Sequence, residues 1–487
     1  MREALHIFLK DSRYLRLPIA ILVGWLMLFV YASVTTLPLG TFGWRFGGHW
    51  YLFLQYSNVG LAVGWTYLIA QAIHADGPRG DRQFWLTRPY TRRNLLLAKT
   101  LFVLAYVTLP FALAQAAIIV LMGLPLGSHV PGIAVTQLMW LAVAFLPVAA
   151  VATLTSTLPQ MLIAALAFPL IVVPLRPFTG LGSASWMGPS VIIVVAGCVA
   201  ALVVALQVFR RRTKVSWLVA LVGILAMHGA ATAVTWEQAY GLQARAIAAE
   251  ALPISSALAE PSANPDRAVA LAPAQYRLPF TFDGLAPDTL INCDGMQISL
   301  TTSSGERLNA PVRPTNSRTA TEASRGCSGI FATSGAFGRF LDAPITIDAV
   351  VYVTVFGDPQ WTELGVNRPP ILIPHAGLCQ AVRRENAAAG QFASLSLGFE
   401  CYRAMRPHDA LVTFAETRGG RSFDAPFPDY SPWPGSLVIQ PVTRMNAIGA
   451  NTPGTAWVAT RTIRAHARIP VRREGVTLND YRIRQAR

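Results

Sequence analysis

Seven apolar runs in the first 235 residues constrain this chain most. They fall at Leu17–Val34, Tyr51–Ile73, Thr100–Leu124, Ile133–Thr157, Gln160–Leu175, Pro189–Phe209 and Ser216–Thr235. A helix needs about 20 residues to cross a hydrocarbon core. Backbone inside lipid must satisfy its own hydrogen bonds, so such runs are expected to be helices. The fifth run is the shortest and carries Pro169 and Pro174. Pro110 and Pro147 lie inside the third and fourth runs, where each predicts a kink. The first run has a basic leader, but it is long for a signal peptide and is read as a retained anchor. The whole chain is only 13% charged, against about 25% for soluble domains. That argues against an ordinary cytosolic enzyme.

The net charge of +15 is unevenly placed. Residues 1–235 hold 16 basic and 4 acidic residues, and residues 236–487 hold 24 and 21. With a cytoplasmic amino terminus, 14 basic residues of the first half fall inside, against Arg45 and Arg176 outside. Such a bias sets membrane orientation. It predicts a multi-pass membrane protein whose carboxyl-terminal half lies outside the cytoplasm. The basic excess is therefore read as membrane topology and not as nucleic-acid binding.

Composition changes after Thr235. Residues 236–276 are rich in Ala, Glu, Pro and Ser and read as a stalk and linker. Residues 277–487 alternate short β-branched runs with turn residues. The expected strands are Arg277–Phe282, Gln297–Thr302, Ile345–Phe356, Ser394–Phe399, Ala410–Phe414, Leu437–Gln440 and Ala456–Thr462. The fold class is thus an α-helical polytopic membrane domain followed by an all-β, sandwich-like domain. Four of the five cysteines, Cys293, Cys327, Cys379 and Cys401, fall in that second domain. An even number in an oxidising compartment suggests two disulfides. Three connectivities are possible, and pairing of neighbours in sequence is the expected one. Zinc is disfavoured because no CxxC or paired histidine accompanies them. Cys198 lies in the sixth run and is expected to act as a small buried hydrophobe.

Enzymatic signatures are missing. A P-loop needs a lysine after a glycine-rich turn to reach the phosphates. The only lysines are Lys10, Lys99 and Lys214, and none follows a glycine. Neither HExxH nor GxSxG occurs. His228 in the seventh run reads as a helix-packing donor. No Asp, Glu, Lys or Arg sits in the middle of a run, which leaves a proton- or sodium-coupled carrier little to work with. Gly60 and Gly64 form a GxxxG that would let another helix approach closely.

Two cytoplasmic features carry more. Residues 1–16 read as an interfacial amphipathic helix, with Leu5, Phe8, Leu9 and Leu15 near one face. Between the second and third runs, His74–Lys99 contains Gly80-Asp81-Arg82-Gln83-Phe84-Trp85-Leu86-Thr87-Arg88-Pro89. Aromatic residues among arginines have the composition of a protein-docking hot spot. At these residues, and over roughly 1–210, the chain resembles the membrane-spanning subunit of ABC transporters of the type-2 exporter class. That resemblance implies a permease subunit that is not itself an enzyme. It binds no cofactor, since ATP is used by a separate ABC ATPase subunit, and it works as a homo- or heterodimer in the bilayer. It further implies ATPase contacts at Phe84, Trp85, Thr87 and Arg88, and an external loop element with Phe178 and Trp186. The competing expectation is a membrane-anchored sensor or assembly scaffold whose β-domain binds a ligand or protein.

Overall fold

A computed structural model describes residues 2–36, 43–75, 91–164, 188–210, 212–235, 237–238, 241, 255–259, 275–284, 289–310, 313–316, 326–332, 340–366, 368–386, 394–404, 410–415, 422–423, 439, 441–448 and 456–482. The amino-terminal half is helical: α1 (Arg2–Tyr14), α2 (Arg16–Thr36), α3 (Gly43–His74), α4 (Arg92–Leu121), α5 (Val130–Leu154), α6 (Gly188–Ala205) and α7 (Thr213–Ala233). Among the described residues, four helical stretches are long and apolar enough to span a membrane. They are Arg16–Thr35, Arg92–Leu121, Val130–Leu154 and Val191–Arg210.

The expected count of seven is therefore corrected to about four. The second expected run is helical within α3, but Ser57, Asn58, Thr66 and Gln71 dilute its apolar character. The seventh lies in α7, whose counted apolar stretch is the shorter Thr213–Met227. Most of the fifth lies outside the described residues.

The two prolines act as expected, through a specific device. Leu104–Thr108 forms a π-turn just before Pro110, closed by Leu109 N–H donating to Leu104 O. Leu141–Phe145 does the same before Pro147, with Leu146 N–H donating to Leu141 O. A π-turn absorbs the missing proline N–H and lets the helix continue with a local irregularity. Around these turns Trp65, Phe111, Trp140 and Phe145 form one aromatic group, with ring centroids between 4.8 and 6.1 Å apart.

GxxxG is used within the chain. A methyl group added at Gly60 would lie 2.9 Å from the Trp25 ring, and one at Gly64 would lie 2.9 Å from Leu22 Cδ1, both on α2. The motif lets α3 approach α2. Gly60→Leu is expected to destabilise the helical half by about 1–3 kcal/mol through overpacking against a rigid indole. Gly64→Ala should cost less, because Leu22 can turn aside. Unfolding in mixed micelles checks the order, and equal costs would refute it. Cys198 is exposed on the outer surface of α6, not buried between helices.

Among the described residues, the carboxyl-terminal half forms three sheets whose strands pair antiparallel. The first orders β1 (Ser255–Leu258), β2 (Gln275–Asp283), β6 (Gly326–Ala332) and β5 (Arg313–Asn316). The second orders β14 (Val442–Ile448), β11 (Ser394–Ala404), β10 (Gly377–Asn386) and β9 (Ile371–Ile373). The third orders β13 (Ser422–Phe423), β12 (Ala410–Ala415), β15 (Ala456–Val476), β7 (Ile345–Phe356), β3 (Leu290–Thr302) and β4 (Arg307–Ala310), with β8 (Gln360–Leu364) also on β15. Strand β1 falls inside the expected linker. Ile439, expected in a strand, sits in a bend.

Alternation makes the cores. In β7, Val351, Val353 and Val355 face a cluster shared with β2, β3, β6 and β15. Two disulfides staple these strands. Cys293 on β3 pairs with Cys327 on β6, joining the first and third sheets, and Cys379 on β10 pairs with Cys401 directly opposite on β11.

Candidate functional site

Phe84, Trp85, Thr87 and Arg88 lie outside the described residues, as do Phe178 and Trp186. What the structure does describe is how the 76–90 segment is held at both ends. On its amino-terminal side, His74 closes α3. The Nε2–H of His74 donates to the carbonyl of Ala152 on α5 at 3.1 Å, and Thr155 Oγ1 lies 3.4 Å from the same nitrogen. On its carboxyl-terminal side, Thr91 caps α4 by accepting from the Asn94 N–H at 3.3 Å. Asn94 Nδ2 donates to Glu3 of α1, and Arg92 donates to the carbonyl of Phe209, in the π-turn that extends α6.

Lys99 lies at the centre of this end of the helices. Its ammonium donates to Asp11 Oδ2 at 2.7 Å and to the carbonyl of Ala72 in the last turn of α3. Asp11 is fully buried, and the Lys99 side chain is 13% exposed. Lys10 lies 3.8 Å from the other carboxylate oxygen. A buried ion pair here ties α1, α3 and α4 at one point. Around it Ala4 and Ile7 pack on Ala98.

Helix α1 therefore has two apolar faces. Ala4, Ile7 and Asp11 face inward, while Leu5 and Leu9 remain exposed. The segment is helical over Arg2–Tyr14, with an inward face that the expected apolar set of Leu5, Phe8, Leu9 and Leu15 does not include. The spacing of Ala4, Ile7, Asp11 and Leu15 carried that signal, hidden because a charged residue occupies one of its positions.

At the opposite end of the helices the β-domain docks. Tyr402, Ala404, Ile439 and Val442 belong to the same apolar cluster as Met122 and Leu124, in the α4–α5 connection. A polar chain runs through this contact. Gln137 Nε2 donates to Gln115 Oε1 at 3.0 Å, and Gln115 Nε2 donates to the carbonyl of Ile439 at 3.3 Å. Beside it lies an open, largely apolar groove of about 750 Å³ along α3, lined in part by Asn58, Thr66, Tyr67, Trp140 and Ile439.

Within the β-domain, three strands bring a buried polar group together. Asp294 occupies the bulge of β3 between Cys293 and Gly295. Its carboxylate accepts from Asn292 Nδ2 at 2.8 Å and from the hydroxyl of Thr354. Thr354 Oγ1 also lies 2.8 Å from His466 Nδ1. With the hydroxyl proton directed at Asp294, that nitrogen must carry a hydrogen and donate to Thr354. Burial pushes the Asp294 carboxyl up to about 7, against the lowering effect of the Thr354 and Asn292 hydrogen bonds. Burial pushes His466 down to about 4. The order Asp–Thr–His resembles a nucleophile relay. However, Thr354 is fully buried and His466 only 5% exposed, so a substrate has no approach. Among the described residues no group of three or more His, Cys, Asp or Glu side chains is placed to hold a metal ion.

No family model matches the chain, and no curated protein or solved structure matches it.

Proposed function

We infer that the chain is the membrane-spanning permease subunit of an ATP-driven exporter, with ATP hydrolysed by a separate subunit docked on the 74–99 segment. The observation that supports this reading most is the pair of anchors around that segment. His74 joins its start to α5, and Lys99 joins its end to α1 and α3. A displacement of the segment by a nucleotide-driven partner would pass into several helices at once. Two discrete arrangements of such packed elements are what an allosteric coupling requires.

The same ends of the helices carry Arg92, Arg93, Lys99 and Arg210, while the opposite ends meet the β-domain. In this reading the basic end is cytoplasmic and the disulfide-bonded β-domain extracytoplasmic, with the chain resident in a bacterial inner membrane. Gly60 and Gly64 already receive α2, so a homo- or heterodimer would use another face.

The test is affinity capture of the ATPase from membranes at equal expression. Trp85→Ala and Arg88→Ala are each expected to weaken capture by tenfold or more. A buried aromatic or arginine anchor contributes about 2 kcal/mol or more at an interface. Arg92→Ala should have less effect on capture. Unchanged capture by both first variants would place the interface elsewhere.

A second reading is supported by the docked β-domain. The Gln137–Gln115–Ile439 chain makes the outer domain continuous with the helices. A scaffold or sensor that reports an extracytoplasmic ligand through the membrane would need such continuity. Wild type that captures no ATPase would favour it.

A further inference from the structure

We propose that edge strand β9 is a lipid-contact element that rests the β-domain on the surface of the bilayer through Leu372. Among the described residues, the large apolar side chains exposed outside the helical half are two alone, Leu372 at 54% and Ile371 at 40%. Their place in the second sheet gives this exposure a direction. Leu372 is the register partner of Leu378 on β10, which is the partner of Tyr402 on β11. Paired residues share a sheet face.

Tyr402 is buried in the cluster that joins the β-domain to the helices, and Leu378 packs against that cluster. Leu372 continues the row to the edge of the sheet. It therefore points to the same side as the docked face, which meets the membrane helices at Met122 and Leu124. What lies beside those helix ends is the outer surface of the bilayer.

The chemistry of the strand selects lipid over a protein strand. Pro369 and Pro370 lead directly into it, are exposed, and offer no N–H to an added strand. Arg368, also exposed, adds a guanidinium at the entry to the strand. An apolar tip next to a cation matches acyl chains beneath anionic headgroups. Gly377 fixes the turn that presents β9. Its φ is +91°, and a side-chain carbon there would lie 2.3 Å from the carbonyl oxygen of Tyr402.

The test places a nitroxide label at Leu372→Cys in the full chain with Cys198→Ala, reconstituted in nanodiscs of phosphatidylcholine and phosphatidylglycerol. Ser304→Cys, on an exposed turn, serves as the aqueous reference, and Leu218→Cys, exposed on α7, as the helix-surface reference. The relaxation ratio for oxygen over a water-soluble nickel chelate at position 372 should be several-fold above that at 304. A second label at Ile371→Cys, the register partner of Cys379 on the opposite face of the sheet, should stay near the ratio at 304, which shows that the contact is made by one face of the strand. A ratio at position 372 equal to that of Ser304→Cys overturns the proposal. Shielding from both reagents also overturns it, since that outcome means protein covers the strand. Neither result depends on whether an ATPase binds the opposite end of the helices.

Discussion

Asp11→Ala is expected to destabilise the helical half by about 3–5 kcal/mol, the cost of stranding one member of a buried ion pair. The Lys99 ammonium would keep the carbonyl of Ala72 but lose the carboxylate at 2.7 Å. With its side chain 13% exposed, it has little water to turn to. Lys99→Met should cost a similar amount, because it leaves the fully buried Asp11 carboxylate without that partner. The double variant Asp11→Ala, Lys99→Met is expected to recover most of the loss, since a buried pair replaced by apolar groups is often near neutral. Equilibrium unfolding of the purified chain in mixed micelles measures all three. Single variants within about 1 kcal/mol of wild type, or a double variant equal to the sum of the singles, would show that the pair is not coupled.

This ion pair also shows where sequence reading stops. The third apolar run begins at Thr100, so Lys99 falls just outside it. The helix in fact starts eight residues earlier, at Arg92, because Thr91 caps it and Asn94 and Arg92 find partners on neighbouring helices. Hydropathy marks where lipid begins, while the helix begins where its first N–H groups are satisfied. Asp11 was invisible for a related reason, since a charge in a short leader is normally solvated and nothing local announces its partner 88 residues away.

Features with local causes were legible. Pro110 and Pro147 announced the helix irregularities, and the run Ile345–Phe356 is one strand with the expected ends. Span number was not, because a packed helix such as α3 can carry Ser57, Asn58 and Gln71 and still continue. Nor was the docking of Ile439, which depends on two long-range contacts that no periodicity encodes.

Stability of the β-domain is expected to be nearly flat between about pH 4 and 6.5, and single substitutions should reveal two opposed slopes beneath it. Asp294 titrates at about 7 in the folded domain against an ordinary 3.8. Over that window the folded state holds a proton that the unfolded chain has released, so this group lowers stability as pH rises. His466 titrates at about 4 against an ordinary 6.5. There the unfolded chain holds the extra proton, so this group lowers stability as pH falls. The two share the Thr354 hydroxyl and overlap in range, and their effects offset. His466→Gln removes one slope and should leave stability falling from pH 4 to pH 7, by at most about 1.4 kcal/mol per pH unit. Asp294→Asn removes the other and should leave stability rising from pH 4 to pH 6.5 by a similar amount per unit. Among the described residues of these strands, Tyr352, Arg464, the Arg468–Glu237 pair and the Arg472–Asp348 pair are further charged or titratable groups. Both variants retain them, so the difference between the variants isolates Asp294 and His466. Pulse proteolysis of the solubilised full chain in urea, repeated across pH 4–7, reads each slope. Profiles that stay parallel to wild type in both variants would mean that neither group titrates between folded and unfolded states as its burial demands.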